Sequence, residues 1–201
     1  MPHAPNFFAI PPWRRAGRCL ATLVALAGAG AAGAQNVTLG IAAGPDRGKV
    51  DCVASFACDR SSTSFKLTGA YRLSEAVDVQ AVYFGSGKFE GGDTTPLGTE
   101  FGGSFKVSGF GLTAGYRWDL VAGWSLAARL GAAGVRTRFR YAPPFDGSAS
   151  KTTLQPLGGI GIGYAVTPAL RVGLDYDITR FKVHTTRGPL QMLGLAAQYS
   201  F

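Results

Sequence analysis

The stretch Leu170-Arg171-Val172-Gly173-Leu174-Asp175-Tyr176-Asp177-Ile178 decides the fold. Its period is two, which is a strand and not a helix. One parity, Leu170 to Ile178, is apolar at every position, while the other holds Arg171, Asp175 and Asp177. Seven further stretches carry the same period: 37–44, 65–73, 77–84, 109–118, 124–133, 159–166 and 193–201. Eight strands emerge, an even number. Their connections alternate too. The turns at 73–76, 119–123 and 167–169 are tight, and the stretches 46–61, 90–103, 141–151 and 184–188 are longer and rich in turn residues.

The two faces of these strands differ in kind. The Leu, Ile, Val, Phe, Tyr and Trp face is uncharged across the middle of every strand. The other carries Lys66, Arg72, Asp78, Gln80, Arg117, Arg129, Asp175, Asp177 and Gln198. A lipocalin-like barrel has an apolar lumen and a polar exterior. Here the arrangement is the reverse, and the apolar face meets lipid. An Arg or Lys at the bilayer midplane of a barrel costs about 2–4 kcal/mol, so the charged face points inward. Short turns on one rim, longer loops on the other and segments of about 9–11 residues match a transmembrane barrel. Tyr71, Trp118, Trp124, Tyr164, Tyr199 and Phe201 gather near the short turns or the C-terminus on the outward parity. That is an interfacial aromatic girdle. Rings filling a sandwich core would not collect on one rim. The sequence predicts an all-β, eight-stranded antiparallel up-and-down transmembrane barrel with a polar, glycine-rich interior.

Composition agrees. Of 201 residues 46% are hydrophobic and only 16% are charged, against about 25% charged in soluble domains. The 29 glycines follow no three-residue period, which excludes collagen, and frequent aromatics argue against disorder. No run of 18 apolar residues occurs, so a helical span is not expected.

Residues 1–34 read separately. Arg14, Arg15 and Arg18 precede the apolar or small run 19–34, which ends in Ala32-Gly33-Ala34. These are the parts of a cleaved secretory signal peptide, and the run is too short and Ala/Gly-rich to be a comfortable anchor. The Arg pair also allows a twin-arginine signal, although that route usually carries folded cargo. Cys19 lacks the context of a lipidation site. Removing 1–34 lowers the formal charge from +8 to +5. Cys52 and Cys58 then remain, and in an exported chain they are expected to form a local disulfide bracing the first long loop.

With the signal, the eight strands and the ending Gln198-Tyr199-Ser200-Phe201, the chain over 35–201 resembles the OmpA/OmpX-like family of small outer-membrane β-barrels. The resemblance implies the outer membrane as location. It also implies that Tyr199 and Phe201 belong to the signal read by the outer-membrane assembly machinery. No peptidoglycan-binding domain follows the barrel, and a loop disulfide is not a general mark of the family.

Several functions are open. An eight-stranded barrel is just wide enough for side chains to fill it. Lys66, Arg72, Asp78, Gln80, Arg117, Arg129, Asp175 and Asp177 are therefore expected to form an interior polar network, giving a non-enzymatic structural or adhesin-like protein. The same residues would line a small gated ion pore. A lipid-A-modifying barrel enzyme would need a nucleophile and a His base, but His184, the one histidine after the signal, lies in the last loop without an adjoining strand serine. No Walker loop, dinucleotide fingerprint or HExxH occurs, and no catalytic, cofactor or metal residue is assigned. A pI of 9.7 does not make a nucleic-acid binder, because the aromatics sit on the lipid face. Expected partners are outer-membrane lipid and lipopolysaccharide, the assembly machinery and an extracellular ligand of the loops. Arg136, Arg138 and Arg140 continue an outward parity, as do Arg180 and Lys182. Beyond the apolar band, at head-group height, their cost falls to about 0–1 kcal/mol. There they are candidates for a girdle holding lipopolysaccharide phosphates, or simply a solvated basic rim.

Overall fold

The computed structural model describes residues 36–49, 59–94, 100–142, 147–183 and 186–201. Residues 1–34, Cys52, Cys58 and His184 lie outside them. Eight antiparallel strands follow one another around a closed barrel. They are β1 Val37–Gly48, β2 Ser61–Arg72, β3 Val77–Thr94, β4 Glu100–Asp119, β5 Trp124–Tyr141, β6 Ser148–Ala165, β7 Leu170–Val183 and β8 Thr186–Ser200. Closure runs from Thr38↔Ser200 to Gly48↔Leu190. The Phe201 N–H extends it by donating to the Val37 carbonyl at 3.0 Å.

The three tight turns lie on one rim, hereafter the lower. Two are built alike. Leu73 donates to Val77 and Val166 to Leu170, both at 2.9 Å. In each turn a hydroxyl, Ser74 or Thr167, accepts the N–H of the residue that restarts the strand. Such short side chains favour turns because they bond local backbone. The third turn is a 3₁₀ step at Val121–Gly123, where Ala122 and Gly123 adopt φ of 57° and 81°.

The strands exceed the expected segments. β3 to β6 run 18 to 20 residues, against 12 for β1 and β2. Most of the long loop expected at 90–103 is strand, and β6 begins at Ser148 within the loop expected at 141–151. A bulge in β3 explains why the period failed to show this. Register shifts between Gly85 and Lys88, so Val82 and Phe84 face inward on even numbers and Phe89 faces inward on an odd one. An extra residue in one strand breaks strict alternation. Ser86 stitches the bulge to β4, accepting the Val107 N–H at 2.9 Å and donating to the Val107 carbonyl at 3.1 Å.

Candidate functional site

Inside the lower half, four charged side chains converge. β7 alternates Asp175 and Asp177 inward, β2 supplies Lys66 and β5 supplies Arg129. Lys66 Nζ lies 2.7 Å from Asp175 and 2.5 Å from Asp177. Arg129 Nε donates to Asp177 at 2.7 Å, and Arg129 Nη1 donates to Asp175 at 3.3 Å. The four side chains are 4–9% exposed. Gly159 and Gly161 of β6 pair with Asp177 and Asp175, and a Cβ at either glycine would collide with the facing carboxylate. Those glycines make room for the cluster. Two cations and two carboxylates balance, and charges out of water are tolerable only when paired in this way.

The other four residues expected in the network stay apart from it. Asp78 accepts from Gln80 Nε2 at 2.8 Å, and Arg72 stands opposite Asp78 in the β2–β3 register. Arg117 donates to the Glu75 carbonyl at 3.2 Å and lies 3.5 Å from Asp119. Asp119 is also 3.8 Å from Arg171. The sequence reading left both Asp119 and Arg171 out of the network, although Arg171 stands on the charged parity of β7.

The upper half corrects the expectation of a polar interior. Phe84, Phe89, Phe105, Phe139 and Phe181 point inward and are at most 1% exposed, as are Val107, Val135, Leu157 and Leu190, with Met192 buried beside them. Phe105 and Phe139 meet at a tilt with centroids 4.6 Å apart, and Tyr141 meets Phe139 edge-on at 4.9 Å. At the same level the outer face turns polar. On β5 the outward residues are Trp124, Leu126, Ala128, Leu130 and Ala132, then Gly134, Arg136, Arg138 and Arg140. The inward ones are Ser125, Ala127, Arg129 and Gly131, then Ala133, Val135, Thr137 and Phe139. Polarity inverts across one strand at its middle. Arg136 is 12 residues beyond Trp124. At about 3.4 Å per residue and a tilt of about 40°, that is about 31 Å, past an apolar band of about 25 Å.

The closed topology, apolar belt and lower aromatic rim agree with the match of most of the chain to the family model of the outer membrane protein β-barrel domain. The chain belongs to the outer membrane protein β-barrel domain family. The family's model matches residues 19–201, so the outer membrane is this barrel's location and the OmpA/OmpX-like resemblance holds. Solved barrels of similar fold include Neisserial surface protein A, with a TM-score of 0.60 at 14% identity, covering 82% of this chain and 97% of that one. Ail of Yersinia pestis, in complex with the heparin analogue sucrose octasulfate, gives 0.52 at 18%, covering 82% and 98%. The N-terminal barrel of Pseudomonas aeruginosa OprF gives 0.51 at 15%, covering 83% and 98%. No curated protein sequence matches significantly.

On the family's membrane-facing surface the expected aromatics lie at the lower rim, with Trp124 against Tyr164 at 5.2 Å and Tyr199 against Phe201 at 5.0 Å. Arg136, Arg138, Arg140, Arg180 and Lys182 are all outward and exposed, but they fall into two groups. Arg138 pairs with Lys106 of β4, which pairs with Lys88 of β3. Three cations thus form a row across three strands, with Arg136 and Arg140 beside it. Arg180 and Lys182 sit on β7, beyond β6. Lys88 and Lys106 escaped sequence reading because one follows the bulge and the other precedes the expected start of β4. Two acids lie near the row, Glu90, whose β4 register partner is Ser104, and Asp59, which bridges to Glu90. Among the described residues none of these cations makes an ion pair.

Proposed function

We propose that this outer-membrane barrel is a non-enzymatic surface-interaction protein whose lumen is closed and whose upper outer face binds polyanionic saccharide, with lipopolysaccharide phosphates the nearest source. The observation that carries the reading is the row Lys88–Lys106–Arg138. Like charges directly opposite one another on a sheet destabilise it, so a row without ion pairs favours an anionic partner. Arg holds phosphate or sulfate bidentately. Arg136 and Arg140 extend the row as the β5 part of the basic girdle. The sulfated sugar on Ail has the same chemistry, several anions on a small rigid scaffold.

Closure is supported by the lumen itself. An ion entering from above would meet the buried phenylalanines before reaching a quartet whose charges already satisfy one another. Burying an unpaired ion in such a setting is costly. The wild-type protein in planar bilayers is expected to show no reproducible conductance, and a steady large conductance would favour the pore instead. Neutralising Arg136, Arg138 and Arg140 together is expected to reduce both lipopolysaccharide co-purification and binding of sucrose octasulfate, with insertion intact. Retention of both at wild-type levels would leave the row as a solvated rim. Unchanged lipid A masses in cells with and without the protein are expected of a barrel that is not an enzyme.

A further inference from the structure

Above Leu157 and Thr179 the barrel wall is unzipped. The β6–β7 ladder ends at Leu157↔Thr179. Yet β6 continues to Ser148 beside β5, and β7 continues to Val183 beside β8. Pro156 stands at the split. Its carbonyl faces β7 and accepts the Thr179 hydroxyl at 2.9 Å. In an antiparallel strand the nitrogen of a residue points the same way as its carbonyl, and a proline nitrogen has no proton to give. The ladder loses its next bond there.

The split opens into a cavity of about 670 Å³. Its floor includes Phe181, a member of the apolar cluster in the lumen, and Pro189 of β8. Its lower lip is the cross-strand row Leu130–Gly158–Ile178 on the membrane-facing parity. With no side chain at Gly158, a furrow runs between Leu130 and Ile178, and a Cβ at Gly158 would meet nothing nearer than 3.7 Å. Arg180 and Lys182 flank the mouth, both exposed and, among the described residues, neither in an ion pair. The strands β5 to β8 contain only two carboxylates, Asp175 and Asp177, and both are committed inside the barrel. The site is apolar below and cationic above.

Its height fits a lipid. Open strand edges are not tolerated in hydrocarbon, and exposed Arg and Lys prefer the head-group zone. The furrow below still lies among apolar side chains of the membrane belt.

We infer that this seam binds lipid A of the outer leaflet: a phosphate rests on Arg180 and Lys182, and one acyl chain starts beside Phe181 and runs down the Leu130–Gly158–Ile178 furrow. The site separates these two cations from the β3–β5 row and depends neither on that row nor on a closed lumen.

The test is native mass spectrometry of the refolded barrel titrated with lipid A, with heat-modifiable mobility on gels as the check of folding. Wild type is expected to retain one lipid A. Gly158→Leu, which fills the furrow without altering charge, is expected to lower the bound fraction at least tenfold, whereas Gly158→Ala, whose Cβ fits, keeps it. Ile178→Phe on the opposite lip is the companion, should Gly158→Leu fold poorly. The pair Arg180→Gln/Lys182→Gln is expected to lose lipid A to a similar degree, whereas Lys106→Gln/Arg138→Gln is expected to lose sucrose octasulfate and keep the lipid A held at the seam. Folded Gly158→Leu and Ile178→Phe that both bind lipid A like wild type would overturn the seam. Inorganic pyrophosphate binding as tightly as lipid A would reduce the site to an anion rim. Phosphatidylglycerol binding as tightly as lipid A would overturn the assignment to the glycolipid. Sucrose octasulfate binding kept at wild-type level in Lys106→Gln/Arg138→Gln, with lipid A lost only in the seam variants, would break the β3–β5 reading alone.

Discussion

The lower and upper halves of this barrel are built from the same strands with opposite polarity. Below, apolar residues face out and Lys66, Arg129, Asp175 and Asp177 face in. Above, Lys88, Lys106, Arg136 and Arg138 face out and five phenylalanines face in. The lower half is a membrane protein and the upper half a small soluble barrel stacked on it. Backbone geometry is common to both, so the difference comes from the solvent. Lipid excludes charge from the outer face and forces any charge inward into pairs. Water above the bilayer removes that constraint, and the hydrophobic effect then fills the interior with apolar side chains.

Breaking the interiors is expected to have the largest effect. Asp177→Ala leaves Lys66 and Arg129 to share Asp175, and uncompensated buried charge costs about 3–5 kcal/mol. Phe139→Ala in the upper half opens a cavity at a similar cost of about 3–5 kcal/mol. Urea unfolding from lipid vesicles measures both. Losses below about 1 kcal/mol in either would mean that the corresponding half does not depend on its filling.

Exchanging outer faces comes next and should be asymmetric. Leu195→Arg, on the lipid-facing side, is expected to cost about 2–4 kcal/mol. Arg138→Leu above the band should change stability by less than about 1 kcal/mol, since it breaks no ion pair. Equal costs in the same refolding assay would deny that the polarity inversion marks the edge of the bilayer.

The smallest effect on the folded barrel is expected from deleting Phe201. It lies outside β8, and its N–H contributes one bond to Val37, worth about 0.5–1.5 kcal/mol. Refolded barrel should stay heat-modifiable while the amount assembled in cells falls. Equal cellular levels with and without Phe201 would remove it, and Tyr199 with it, from the assembly signal.

Much of the lower half was legible in the sequence because a strand bathed in lipid on one side has a strict code. Leu170 to Ile178 against Arg171, Asp175 and Asp177 declares which face is which, and tight turns at 73–76, 119–123 and 167–169 count the strands. The upper half obeys no such code. Val82 and Phe84 sit on the same parity as Asp78 and Gln80, so an apolar interior above a polar one looks like noise within a polar face. The bulge at Gly85 to Lys88 then moves Phe89 to the opposite number parity, which hides both the length of β3 and the cation Lys88.

The sequence by itself determined the strand count, the lipid-facing parity and the residue types available to the lumen, because each follows from local alternation and the cost of charge in hydrocarbon. Only tertiary structure decided which of those residues meet. Lys66, Arg129 and the two aspartates come together because closing the barrel sets β2, β5 and β7 around one lumen. Arg117 instead finds Asp119 at the lower rim. Register likewise aligns Lys88, Lys106 and Arg138, three residues 18 and 32 positions apart along the chain. The loss of one N–H at Pro156 parts β6 from β7 beside Arg180. Cross-strand pairing is non-local, and its register is set by the barrel as a whole.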